Sequence, residues 1–400
     1  MWLRRWVVTL ICGLICYVVQ GTLHEADART RATHSLQKPA KKKMVIKQVP
    51  SPALPDYEAA LLADADTGQI LFARNSDKQW PSASLTKMMV GLLTLEEIKR
   101  GHLSLRTPVP ISRRASLAGG RMINLQPGEV YPLEELLQAM LVTSANDASI
   151  AIAERLAGSV ESCILAMNKR ARELGMTETR YRTVNGMPPA NGAPPDMSSA
   201  RDMVILAREL LKHREILQWT SCPHIPFRAG TVLLPNTNHL VGKVAGVDGL
   251  KTGFTAKARF NLVTTAQRGQ LRLIAVILGG KSSQIRFRTA TELLEWGFAE
   301  YTRLRLLKSG EPVGARVRVE HGSVSAIQPV AATDVAFLMK KNDIDNVQIF
   351  LQLPSTIAAP IARYQVVGEV VVRNHDRILA VIPAVSPLEI PQVRWFPARR

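Results

Sequence analysis

Apolar residues recur along this chain in three textures, and the changes between them divide it. From Trp6 to Val19 the run is continuous; from about Tyr57 to Tyr301 alternating and helical spacings take turns; beyond about residue 302 only short alternating stretches remain. In the middle texture, Ala59–Ala63 and Gln69–Ala73 read as strands around the turn Asp66-Thr67-Gly68. The stretch Pro81-Ser-Ala-Ser-Leu-Thr-Lys-Met-Met89 then predicts a helix starting at Pro81 or Ser82, with Leu85, Met88, Met89, Leu92, Leu93 and Leu95 at helical spacing. Further helices are expected over 132–141, 148–156, 197–213 (capped by Ser198 or Ser199) and 283–301, with β-rich segments over 249–266 and 271–279. Strands at both ends with helices between them predict an α+β domain, an antiparallel sheet built from the two termini and flanked by helices. Segments 313–320, 335–339, 347–353, 365–372 and 377–381 predict a small all-β domain over 302–390, followed by a short tail, 391–400.

The first texture concerns targeting. Met1-Trp-Leu-Arg-Arg5 is a basic start, and the apolar run behind it is short for a membrane span but suits the core of a signal peptide over 1–28. Ala26-Asp-Ala28 supplies a small-x-small cleavage site, and Val19-Gln-Gly21 an alternative; an uncleaved anchor is the other reading. The expected destination is the bacterial periplasm or envelope. Residues 29–56 carry Arg29, Arg31, Lys38, Lys41, Lys42, Lys43 and Lys47 together with four prolines, so they read as a basic tether. About a third of the net charge of +18 gathers there, which favours an anionic neighbour such as a phospholipid surface or cell-wall polymer. No zinc-finger spacing or aromatic-basic pattern points to nucleic acid. Past the apolar run only Cys163 and Cys222 remain, and they leave pairing and free thiols equally open. The histidines show neither i,i+4 pairing nor clustering with Cys or carboxylates, so no metal and no cofactor is expected.

Candidate chemistry begins with Ser84 and Lys87, three residues apart and therefore one helical turn apart. The spacing is cheap: it arises roughly once per few hundred residues by chance, and Ser35-Leu-Gln-Lys38 repeats it. That copy lies in the tether, and Pro39 directly after Lys38 disfavours the helical turn the pair would need. Two later motifs single out Ser84: Ser144-Ala-Asn146 and Lys251-Thr-Gly253, each at an element boundary. A serine hydroxyl is unreactive without a base, and Lys87 serves as one only when neutral, a state that burial and a second cation such as Lys251 both promote.

The ordered trio resembles that of penicillin-binding proteins and class A β-lactamases. With Asp64-Ala-Asp-Thr-Gly68, Leu125-Gln-Pro-Gly128, Leu141-Val-Thr-Ser-Ala-Asn-Asp-Ala148, Asn185-Gly186, Ala200-Arg-Asp202 and Val247-Asp-Gly-Leu-Lys-Thr-Gly253, the chain from 57 to 301 resembles the low-molecular-mass D-alanyl-D-alanine carboxypeptidases, peptidase family S11. The likeness extends more loosely to about residue 390. It implies a penicillin-binding-protein-like domain followed by the β-domain, and a serine D,D-carboxypeptidase. Such an enzyme would remove the terminal D-Ala from peptidoglycan stem pentapeptides and be acylated by β-lactams. The resemblance assigns Ser84 as nucleophile, Lys87 as base and Ser144 as proton relay. Asn146 would orient Lys87 and bind the substrate amide; Lys251 and Thr252 would bind the terminal carboxylate. Gly253 would leave the strand bare for substrate, and the Phe254 N–H would join that of Ser84 at the oxyanion.

Three departures stand out. Arg259 replaces a usual glycine after Lys251-Thr-Gly-x-Thr-x-x-Ala258, implying a relaxed turn or a new charge near the cleft. Ala145 stands where many members have glycine. The chain closes in Ile390-Pro-Gln-Val-Arg-Trp-Phe-Pro-Ala-Arg-Arg400 instead of a long amphipathic helix, although Trp395, Phe396 and the arginines suit peripheral contact with the inner membrane. Two rivals are weighed. A β-lactamase needs a further glutamate to activate water, and Glu161 and Glu173 both sit in helical sequence. An inactive cell-wall binder would not need an intact trio.

Overall fold

The computed structural model describes residues 6–8, 56–188 and 192–393. The chain divides into two compact units at Glu300/Tyr301.

The first unit is organised around a five-stranded antiparallel sheet drawn from its two ends. Strands β1 (Ala59–Asp64) and β2 (Ile70–Arg74) come from the beginning; β3 (Val247–Thr255), β4 (Arg259–Arg268) and β5 (Leu271–Gly280) come from the end, in the spatial order β3-β4-β5-β1-β2. Leu61 lies opposite Val276 and Leu62 opposite Ala275, joining the ends through a strand buried along its whole length. This is the sheet the sequence predicts. Strand β3 lies at its edge, so one side of its backbone is left without a partner strand. The expected continuous β-run over 249–266 is broken between Thr255 and Arg259, where β3 turns into β4.

Helix α1 (Lys87–Lys99) is buried over Lys87–Leu92 without a gap, as befits a helix apolar on nearly every side. It packs with α2 (Asn146–Ala157), α3 (Val160–Glu173) and α4 (Ala200–Leu210) in one core; α5 (Ser283–Glu300) lies against β4 and β5. Several expected boundaries move. Residues 83–86 form a separate 3-10 turn ahead of α1. The helix expected over 132–141 is α-helical only over Leu133–Gln138 and widens into a π-turn over Ala139–Thr143. Met197–Ser198 is extended because it pairs with Trp80–Pro81; Ser199, whose Oγ accepts the Asp202 N–H at 3.1 Å, starts α4. The hairpin His224–Phe227/Val232–Pro235 was not visible in the apolar pattern. Cys163 and Cys222 are free thiols, and burial pushes Cys163 up to about 12.

The second unit is all-β among its described residues beyond a single 3-10 turn, Lys341–Asn346. Its larger sheet runs through Val347–Gln352, Val366–Asn374, Arg377–Val385 and Val330–Ala331, around Val317, Val370, Val372, Ile361 and Ala384. A strand missed in the sequence, Tyr301–Leu307, follows α5 directly and pairs with Val335–Lys340. Of the expected signal segment only the backbone of Trp6–Val8 is described, as a short strand beside Val347–Gln352; the tether, its Ser35/Lys38 pair and residues 394–400 lie outside the described residues.

Candidate active site

Ser84 sits in the 3-10 turn Ala83–Thr86, and the turn is held from several sides. Asn261 on β4 donates through Nδ2 to the carbonyls of Pro81 (2.8 Å) and Ser82 (3.1 Å), while its Oδ1 accepts from the Gly279 N–H at 2.9 Å. Thr86 Oγ1 lies 2.9 Å from Ser82 Oγ and donates at 2.9 Å to Asp196, a buried carboxylate that also accepts from the Arg182 and Thr183 backbones. Ala83 is forced to φ +48°, and Gly186 fits beneath it: a Cβ on Gly186, itself at φ +80°, would fall 2.0 Å from the Ala83 carbonyl oxygen. In a 3-10 turn residues i and i+3 eclipse, so Ser84 points at Lys87 more directly than an α-helix would arrange.

Lys87 is wholly buried. Its Nζ lies 3.0 Å from Ser84 Oγ and donates to Asn146 Oδ1 at 2.7 Å and to the Asn185 carbonyl at 2.6 Å. Burial lowers its pKa from 10.5 to about 7, against the attraction of Asp196 and Asp147 and with help from Arg121. A neutral amine has two N–H groups, and the two carbonyl oxygens use both. Its lone pair is then left for the Ser84 hydroxyl proton.

The structure therefore brings Ser84, Lys87 and Asn146 into direct contact. Ser144 ends the π-turn in a left-handed conformation (φ 72°), two residues before Asn146, which opens α2. Its hydroxyl makes no hydrogen bond to a described residue. Lys251 is buried on β3 with Nζ 2.9 Å from the Thr252 carbonyl; burial first, then repulsion from Lys87, Arg121 and Arg286, hold it well below the ordinary lysine range. Two buried amines that repel each other as cations both favour the neutral form, in keeping with the expected influence of Lys251 on Lys87, and Arg121 adds to it.

Gly253 also serves the nucleophile turn. Its missing side chain faces the nucleophile turn, since a Cβ would stand 2.9 Å from the Ser82 carbonyl oxygen and 3.3 Å from the Ser84 nitrogen. The bare position lets strand and turn approach, bringing β3 against the Ser84 amide. Phe254 follows it, 55% exposed, its ring tilted at 35° against that of Phe260 with centroids 4.5 Å apart. Arg286 of α5 braces the strand, donating through Nη1 to the carbonyls of Gly253 (3.2 Å) and Asn261 (3.1 Å); burial lowers its pKa to about 10.

Arg259 corrects the expectation of a relaxed turn. The turn has not relaxed: Arg259 keeps a left-handed φ of +54°. Its guanidinium pairs with Glu58 at 2.9 Å beside the Trp80 ring. Glu161 and Glu173 carry surface ion pairs to Arg114 (2.8 Å) and Arg170 (3.3 Å). Four residues of the site went unassigned in the sequence: Asn185, Asp196, Asn261 and Arg286. Only Asn185 left a sign there, the turn dipeptide Asn185-Gly186.

An α+β domain in which a serine at the head of a buried helix meets a buried lysine defines the class of penicillin-binding serine enzymes. Residues 47–282 match the D-alanyl-D-alanine carboxypeptidase family, Peptidase S11, and residues 301–392 the C-terminal domain of penicillin-binding protein 5. The D-alanyl-D-alanine carboxypeptidase DacF of Bacillus subtilis is 34% identical over 335 residues, 83% of this chain and 85% of that protein. DacC of Escherichia coli is 32% identical over 349 residues, 85% and 86% of the two chains. Penicillin-binding protein 5 from Haemophilus influenzae superposes with a TM-score of 0.68 at 28% identity, across 86% of this chain and 99% of that one. This chain belongs to the D-alanyl-D-alanine carboxypeptidases of peptidase family S11.

Proposed function

We propose that the chain removes the terminal D-Ala from peptidoglycan stem pentapeptides by way of an acyl-enzyme on Ser84, limiting cross-linking. The observation that carries this reading is the 3.0 Å approach of a buried, readily neutral Lys87 to the Ser84 hydroxyl. Ser84 Oγ attacks the carbonyl carbon of the penultimate D-Ala as its proton passes to Lys87. The oxyanion is stabilised by the backbone N–H groups of Ser84 and Phe254. The C–N bond breaks, and the proton returns through Ser144 to the leaving amine, freeing D-Ala. Water then attacks the ester, with Lys87 again as base, and the shortened peptide leaves. Lys251 and Thr252 hold the terminal carboxylate, which would favour a protonated Lys251 once bound. Asn146 holds Lys87 and meets the peptide amide. Edge strand β3 supports docking of the peptide as an added strand.

The same nucleophile opens β-lactams, so penicillins are covalent inhibitors. Export to the bacterial envelope, with the second unit as an attached β-domain, rests on the basic start and apolar run at the N-terminus. Among the described residues no helix is long and apolar enough to cross a membrane. Mass spectrometry of stem pentapeptide incubated with the purified protein tests the reading. Tetrapeptide plus free D-Ala is expected; unchanged pentapeptide would refute it.

A further inference from the structure

The loop Gly119–Arg121 reaches the candidate site from outside the three motifs. Asn146 binds it twice: its backbone N–H donates to the Arg121 carbonyl at 2.8 Å, and its Nδ2 donates to the Gly119 carbonyl at 2.7 Å. On the other side the loop meets Met187, just past the Asn185-Gly186 turn; a Cβ on Gly120 would lie 2.8 Å from Asn146 Nδ2 and 3.0 Å from Met187 Sδ. The backbone of Arg121 is thus fixed at the rim, next to the asparagine that holds Lys87. Its side chain is exposed, and the guanidinium makes no hydrogen bond or ion pair with any described residue. It nevertheless lies within electrostatic reach of Lys87, Lys251 and His239, each of which it disfavours in the charged form. A cation held near two buried amines, with no acid of its own, is poised for an anion arriving with the substrate.

We infer that Arg121 is a specificity-determining residue that reads a free carboxylate on the acyl side of the scissile bond, in a stem peptide whose residue before the D-Ala pair carries an acidic group. The side follows from the anchor. Under the proposed function Lys251 and Thr252 take the terminal carboxylate, whereas Asn146, which carries the loop, meets the amide upstream of the cleaved bond. The inference rests on that reading of the site.

The test compares two pentapeptides that differ only at the third residue, a side-chain carboxylate against its primary amide. The wild-type protein is expected to favour the acidic peptide in kcat/KM by about five- to tenfold at low salt, with the preference shrinking as salt rises. In Arg121→Gln the ratio is expected near one, and in Arg121→Glu it inverts. A ratio equal in wild type and Arg121→Gln would overturn the inference. Acylation of Ser84 gives a second readout that does not need D-Ala release. A penicillin bearing an extra carboxylate on its acylamido side chain is set against the same penicillin without it. Loss of the acidic preference in Arg121→Gln supports the role even where neither peptide is hydrolysed, a result that would sink the carboxypeptidase reading alone. An acylation ratio unmoved by Arg121→Gln counts against the role whatever happens to the peptides.

Discussion

The Asn185 carbonyl oxygen accepts a 2.6 Å hydrogen bond from Lys87 Nζ, across ninety-eight residues of chain. Together with Asn146 Oδ1 it occupies both hydrogens of the neutral amine, so the lone pair is left for Ser84. Acylation should follow the free base of Lys87. The rate of labelling by a fluorescent penicillin is expected to climb as pH rises through about 7 and then level off. Lys87→Met should lower labelling by about a hundredfold or more, and Ser84→Ala should abolish it. A flat pH profile in the wild-type protein would refute the assignment of Lys87 as the base.

The same amine makes stability depend on pH. The folded pKa of about 7 lies below the ordinary 10.5, so between them the unfolded chain holds a proton that the folded chain has shed. Stability should therefore rise with pH across this window, and Lys251, depressed in the same direction, adds to the slope. Urea midpoints measured from pH about 7 to about 10 should increase, and Lys87→Met should flatten the rise.

Gly186→Ala should cost roughly 3 kcal/mol or more, because its Cβ would strike backbone at 2.0 Å and its φ is +80°. Thermal unfolding reads that loss directly. Gly253→Ala is a gentler version, at 2.9 Å from the Ser82 carbonyl oxygen: about 1–3 kcal/mol of overpacking, with acylation falling more steeply because the turn that carries Ser84 is what must give way. Equal acylation rates in Gly253→Ala and wild type would show that strand and turn need no such approach.

Arg259→Gly asks whether the departure from the family pattern is local. Relief of a left-handed arginine gives back about 1–2 kcal/mol, less the exposed Glu58 pair, worth about 0–1 kcal/mol, and the extra chain entropy of glycine. A small gain in melting temperature with unchanged D-Ala release is expected. A large fall in release would place the Arg259 side chain at the substrate after all.

Ser84, Lys87, Ser144, Asn146 and Lys251 could be found in the chain because their chemistry imposes local spacings and each motif stands at an element boundary. The sheet was legible for a similar reason: strand-like alternation at both ends of the domain leaves few ways to pair. Asp196 and Asn261 gave no such sign. A buried carboxylate or amide that clamps a distant turn has no local pattern, since its partners are set by the packing of elements far apart in sequence. The 3-10 turn at Ala83–Thr86 and the π-turn at Ala139–Thr143 were hidden as well, because both keep the apolar spacing of the helices they adjoin.

The sequence by itself determined the chemistry on offer: a serine with a lysine one turn away, two later motifs, an antiparallel sheet made from both ends of one domain, and a β-rich region after it. Those follow from local periodicity and residue type. Only the tertiary structure decided that Lys87 is buried and has both amine hydrogens occupied. It also turned Gly253 toward the nucleophile turn, and it fixed the Arg121 loop to Asn146. Burial and long-range hydrogen bonding depend on which surfaces close over which, and that is settled when the elements pack.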